Sequence, residues 1–499
     1  MKIAVISLAI TFFLSIVCVN AQNIPDEAMH YFDRGQAAVE MAKSTAGYED
    51  AINEFKKAAT LVPDWPDVYY NLGLIQEKVG KRADAIRNLT KYVELSPHAS
   101  DVRAVKRLIA KAEYTMEKVL QRWLSENYFD SITKNKDGRI PLESAVRDGQ
   151  TEIVKALLAK GADANIKPQY TNLLLFAISE DHTEIVQALL NYGAEVNVKN
   201  EYGVTALMLA AREGHTESVT ALLTYDAEIN TKNEYGATAL MLAAREGHTE
   251  SVTALLAYDA EINVKNEYAA TALMLAAEKG YTETVKALLA KGADTTAIES
   301  NGDKTALMLA AAHGHTETVK AMLAMGADIN LKNKHGVTAV MIAAGPIRTH
   351  TETVEALLAL GADINAKDNR GDTVLMSSMF WTQTETVKRL LAMGADVNVR
   401  DNGGDTVMME AVWRESIEIV EALLAKGADI NTKNNAGRTA LMKAAGYGYP
   451  EMVKTLLANG ADVHAESNAG DTALMRAKLA EGEGRKETIR LLKRAGAKK

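Results

Sequence analysis

The sequence predicts an all-α repeat solenoid, and three observations carry that prediction. Residues 200–232 and 233–265 are one phrase of 33 residues written twice, with three changes: Val204 to Ala237, Thr224 to Ala257 and Thr231 to Val264. The phrase continues in phase along the chain, opening at Thr205, Thr238, Thr271, Thr305, Thr338, Thr373, Thr406, Thr439 and Thr472. Each copy holds two short amphipathic helices, which cannot bury their apolar faces alone and must lean on neighbouring copies.

Composition suits a soluble folded chain, with 47% hydrophobic and 24% charged residues and only 8 prolines. Lys and Arg total 56 against 65 Asp and Glu, a formal charge of −9. This mild acidity argues against DNA or RNA as partner, because phosphate neutralisation needs basic clusters. The basic C-terminus (Arg485, Lys486, Arg490, Lys493, Arg494, Lys498, Lys499) reads as a helix end answering its own dipole.

In chain order, residues 1–21 come first. Lys2, an apolar run from Ile3 to Val19 and the small-residue ending Val19-Asn20-Ala21 read as a secretory signal peptide. The run is long enough that an uncleaved membrane anchor stays open. A lipoprotein attached through Cys18 is a weaker alternative, since Val17 stands where that pattern needs a small residue. Cleavage would remove Cys18, the single cysteine, so the mature fold would be held by packing without any disulfide.

Residues 24–125 are expected to be helical. Tyr69, Leu72, Gly73, Ala85, Leu89 and Pro97 form one pattern, and Gly35, Ala51, Phe55, Ala58 and Pro63 a second. Each resembles a tetratricopeptide unit. The Gly-to-Ala interval of the second pattern is 16 residues instead of 12, which predicts a lengthened turn around Ser44 to Tyr48. A further helix, about Asp101 to Ser125, caps the pair, and residues 126–135 are the natural joint.

Residues 136–497 hold about eleven repeats, the first two degenerate and starting at Ile140 and Asn172. Within one repeat, Thr205 is a helix N-cap. Ala206 to Glu213 form a helix with Leu207, Ala210 and Ala211 inward, and Gly214 reverses the chain. A second helix from about Thr216 carries Val219, Leu222 and Leu223 on one face, and an extended loop through Ile229 and Gly236 follows. Gly326 to Asn330, Gly361 to Asn365 and Gly427 to Asn431 spell the Gly-Ala-Asp-x-Asn ending. This pattern resembles the ankyrin repeat, more the bacterial exported members than the animal ones. The resemblance implies an ankyrin stack behind a short tetratricopeptide-like block. It also implies protein binding along a concave face made of loop tips and first-helix ends.

One departure is systematic. Where that family has histidine after Thr-Pro-Leu, this chain has Met208, Met241, Met274, Met308, Met341, Met376, Met409, Met442 and Met475. These read as apolar packing, with a thioether Cu(I) site as the alternative.

No zinc-protease motif, phosphate-binding glycine loop or nucleophile elbow occurs, so no enzyme is expected. His182, His215, His248 and His315 fill the repeat's Gly-His slot and read as structural, and His313 with His315 lacks the partners of a metal set. Arg370-Gly371-Asp372 spells an adhesion tripeptide at a repeat turn. Two sets of residues read as partner-binding. Tyr202, Tyr235 and Tyr268 recur at loop tips, each after a glutamate, and Phe380, Trp381, Trp413, Arg414 and Tyr447 stand at first-helix ends where other repeats place small or charged residues. In repeats eight and nine the turn glycine is replaced by Thr382 and Glu415, so local repacking that buries these aromatics is the competing account. Gly345-Pro346-Ile347-Arg348 lengthens the neighbouring turn of repeat seven and could rim this patch.

The resulting expectation is a monomeric, non-enzymatic protein-binding scaffold or adaptor exported to the periplasm. It needs no cofactor, metal or nucleic acid, and its mature chain has no membrane span. Two alternatives stand beside it: a secreted effector binding host proteins, and a metal-handling protein using the methionine ladder.

Overall fold

A computed structural model of the chain describes residues 24–127, 140–166, 172–345, 350–381 and 384–497, without the side chains of Phe380 and Trp381. The expected signal segment with Cys18, the expected joint from residue 128 onward, Pro346 to Arg348 and Thr382 lie outside the described residues. Among those described, secondary structure is helical, with isolated β-bridges such as Lys199 with Thr205 but no strand. By packing, the chain divides into two compact units, with Val196 ending the first and Asn197 beginning the second.

Among the described residues, the first unit begins with five helices: α1 (Asp26–Met41), α2 (Thr45–Leu61), α3 (Pro66–Val79), α4 (Arg82–Leu95) and α5 (Val102–Glu126). Small residues set how closely they pair. A Cβ on Gly35 of α1 would lie 2.9 Å from the Phe55 ring of α2, and one on Gly73 of α3 would lie 2.5 Å from Leu89 of α4. Phe32 stacks on Trp65 with ring centres 4.5 Å apart and meets Phe55 edge-on at 5.3 Å. The long Gly35–Ala51 interval does not make a long turn. α2 begins at Thr45, so Thr45 to Tyr48 form an extra helical turn behind a three-residue connection. Four added residues are close to one turn of 3.6, so lengthening the helix keeps its packing face in register.

Repeats one and two follow in the same unit, with helices Pro141–Arg147 and Thr151–Ala159, then Leu173–Ser179 and Thr183–Asn191. Buried charge joins them to the helices before. Lys155 Nζ lies 2.5 Å from Asp84 of α4, whose other oxygen pairs with Arg87. Lys81 reaches both Glu49 of α2, at 3.0 Å, and Glu184 of repeat two.

The second unit holds repeats three to eleven. Thr205 Oγ1 accepts the Met208 N–H at 3.2 Å, and the same cap recurs at Thr238, Thr271, Thr305, Thr406, Thr439 and Thr472. Gly214 ends the first helix at φ 79°, a conformation that costs side-chain-bearing residues. Three ladders then hold repeat to repeat. Hydroxyls link the second helices, from Thr216 with Ser251 at 2.9 Å through to Thr351 with Thr386 at 3.1 Å. Asparagines in the loops after the second helices accept a backbone N–H of the next repeat, as Asn197 does from Glu228 and Asn431 from Asp462. Successive finger loops bond by backbone, as Glu234 N–H to Tyr202 O and Asn468 N–H to Ala436 O.

Candidate functional site

The first-helix ends of repeats eight to eleven depart from the rest of the stack. In repeat eight the helix shortens to Val374–Ser377 and passes into a 3-10 turn, Ser378–Trp381. Phe380 and Trp381 close that turn, and their side chains lie outside the described residues. In repeat nine Trp413 is the last residue of helix Val407–Trp413 and is 45% exposed. The Arg414 guanidinium lies 3.8 Å from the Trp413 ring centre, and its Nε donates to Glu410 at 3.2 Å. Glu415 takes the left-handed turn at φ 55° without a glycine. The turn therefore keeps its shape and leaves the indole outside, contrary to the repacking account for this residue. In repeat ten Tyr447 ends helix Ala440–Tyr447, is 40% exposed and lies 5.5 Å from the Tyr449 ring.

Charge gathers beside these aromatics, and sequence reasoning missed it. The first-helix position held by Leu209, Leu242, Leu275, Leu309 and Ile342 becomes Ser377, Glu410, Lys443 and Arg476 in the last four repeats. Lys443 pairs with Asp405 of the preceding repeat, and Arg476 lies 3.7 Å from Asp471. Burial pushes the Glu410 carboxyl above its ordinary range, against the pull of Arg414. Leu479, 74% exposed, also went unnoticed. Comparing the repeats column by column would have found both.

The tyrosines lie apart from this patch on the finger tips. Tyr202, Tyr235 and Tyr268 are 52%, 56% and 57% exposed and follow one another through finger-to-finger backbone bonds.

Other motifs have structural partners. His248 lies against Gly214 of the preceding repeat, and its Nε2 donates to the Arg212 carbonyl at 2.9 Å, satisfying a helix-end acceptor. His315 does the same at Glu278 O, and His350 at Ala312 O. Among the described residues no three His, Cys, Asp or Glu gather as a metal set. The first-helix methionines Met208, Met241, Met274, Met308, Met341, Met376, Met409 and Met442 are buried, while Met475 is exposed, and Met208 Sδ accepts the Thr205 N–H at 3.4 Å, so this thioether takes part in a helix cap. Arg370 pairs with Asp372 of its own tripeptide at 3.0 Å, which ties up both charged members. No helix among the described residues is long and apolar enough to cross a membrane.

A family model described as ankyrin repeats, in three copies, matches residues 98–200, 167–233, 227–298, 273–368, 340–434 and 408–499. A second, described as a TPR repeat, matches residues 47–80, which span α2 and α3. No curated protein matches the chain.

Proposed function

We propose, since this chain belongs to the ankyrin-repeat family, that its work is to hold a partner protein on the first-helix ends of its last four repeats, with Trp413 at the centre. Ankyrin and tetratricopeptide repeats indicate a protein–protein interaction scaffold, and both are typically non-catalytic modules. The observation that carries the finer reading is the way Trp413 is presented. An exposed indole braced by Arg414, itself held by Glu410, is a large anchor already fixed in place before a partner arrives. Pre-ordered aromatic anchors lose little entropy on binding and dominate interface energetics. Tyr447 and Leu479 extend the anchor across the next two repeats.

The test is differential capture. With the full chain as bait, Trp413→Ala combined with Tyr447→Ala should lower partner capture by at least about tenfold, as hot-spot losses do. Both residues are exposed, so the thermal midpoint should move by no more than about 2 °C. Unchanged capture, or a collapse of stability, would overturn the reading.

Export to the periplasm is part of the proposal. It rests on Lys2, the apolar run to Val19 and the Val19-Asn20-Ala21 ending, and a mature N-terminus at Gln22 in the periplasmic fraction is the expected result. Release into the medium would favour an effector acting on host proteins. The mature protein is expected to run as a monomer.

A further inference from the structure

The finger edge of the second unit has two chemically distinct stretches. In repeats eight to eleven the tip asparagines are used up internally. Asn369, Asn402, Asn435 and Asn468 each donate a side-chain N–H to a carbonyl of the preceding finger, at 2.8–2.9 Å. In repeats three to five the same tip position is Glu201, Glu234 and Glu267, each exposed, each followed by an exposed tyrosine, and none in an ion pair among the described residues. Finger lysines do not neutralise them: Lys232 Nζ is turned to the Lys265 carbonyl at 3.1 Å. Across residues 197–204, 228–237 and 261–270, five glutamates face three lysines, so this aromatic edge is also an anionic one.

We propose that this tyrosine edge is a second interaction surface, and that its occupant is an extended segment of a partner protein bearing Lys or Arg at every third residue. The proposal rests on the protein-binding reading above but uses different residues. Its chemistry is complementary at each finger: an exposed tyrosine ring offers its face to a cation, and the adjoining glutamate offers the countercharge. Its spacing comes from the stack. Neighbouring repeats are separated by about 8–10 Å, the distance of packed helices. One turn of a polyproline II segment is three residues and advances about 9.3 Å. A cation at every third position therefore meets one finger per turn. Each contact is weak alone, and three in register act together.

The test is fluorescence anisotropy with the full chain and a labelled peptide of four Lys-Pro-Pro triplets at low salt. Saturable binding is expected, weakened at least about tenfold in the triple variant E201Q/E234Q/E267Q and likewise in Y202A/Y235A/Y268A. A peptide of identical composition with its lysines contiguous should bind at least about tenfold more weakly, because it cannot match the spacing. Should the tyrosine variant lose its thermal transition, the isosteric glutamine variant still decides. Absence of saturable binding, full binding by the glutamine variant, or equal binding of the contiguous peptide would each overturn the proposal. Trp413→Ala should bind the triplet peptide as wild type does, so failure here leaves the Trp413 surface standing, and the reverse.

Discussion

At the scale of single residues, the finger turn shows what a methyl group costs. Gly203 and Gly236 take φ values of 69° and 70°, and the third copy of the same phrase puts Ala269 there at φ 56°. A side chain in this region pushes Cβ against the following carbonyl, at about 1–2 kcal/mol. Ala269 has no short polar side chain with which to recover part of that, as Asp226 and Asp259 do at their own left-handed positions. Ala269→Gly should therefore raise stability by about 1 kcal/mol, read as a higher urea midpoint at unchanged slope. Gly236→Ala should do the opposite. A Cβ there would also stand 3.1 Å from the Glu267 nitrogen, which bonds to the Tyr235 carbonyl and joins this finger to the next. A glycine variant at 269 with a lower midpoint would show that the αL strain is not what limits this turn.

At the scale of elements, the contact of α4 with repeats one and two depends on charge state. Burial alone would push the Asp84 carboxyl up, but Lys155 and Arg87 overcome it and hold it below the ordinary carboxylate range. Glu184 is lowered in the same way, burial opposing and the hydrogen bond from Lys81 prevailing. A carboxyl depressed in the folded state gives stability that is present above its unfolded pKa and disappears as pH falls through the folded value. Glu152 acts in the other sense, since burial raises it and acidification relieves its charge. With two depressed carboxyls against one raised, the joint should loosen below about pH 4, the unfolded carboxylate range. Hydrogen exchange over α4 and Thr151–Ala159 would show it. Asp84→Asn should open the same segments at neutral pH, at up to about 3 kcal/mol, because buried Lys155 loses its nearer countercharge and keeps only Glu152, at 3.6 Å. Pairing that change with Lys155→Met should restore protection. If acid leaves these segments as protected as at neutral pH, the ion pairs do not hold them.

At the scale of the whole molecule, periodicity made the stack legible while the surface stayed mostly hidden. Thr205, Gly214 and the inward alanines recur because each copy meets an identical neighbour, so repetition in the sequence reports packing directly. Lys443, paired with Asp405, and the zipped asparagines from Asn369 to Asn468 break the repetition, and their meaning lies in partners one repeat away. The extra turn of α2 was misread for a related reason: a count of residues between Gly35 and Ala51 does not say whether they coil or bend. The same logic locates a gap in the asparagine ladder of the stack. In a linear array each joint is held by its own nearest-neighbour contacts. Asn197, Asn230, Asn263, Asn330, Asn365, Asn398 and Asn431 each accept a backbone N–H from the next repeat. Between repeats five and six Thr296 holds that slot, and its hydroxyl bonds back to Asp294 at 2.7 Å. The hydroxyl pair Thr282 with Thr318 still joins the second helices there, at 2.8 Å, so the loss is confined to the finger side. Exchange should accordingly be faster around Asp328 than at the corresponding Asp363, Asp396 and Asp429. Thr296→Asn should supply the absent acceptor, slow exchange there and add about 1 kcal/mol, the usual net worth of one hydrogen bond. Exchange already as slow at Asp328 as at its counterparts would mean that helix packing alone sets the strength of each joint, and that the asparagine ladder contributes nothing to holding repeat on repeat.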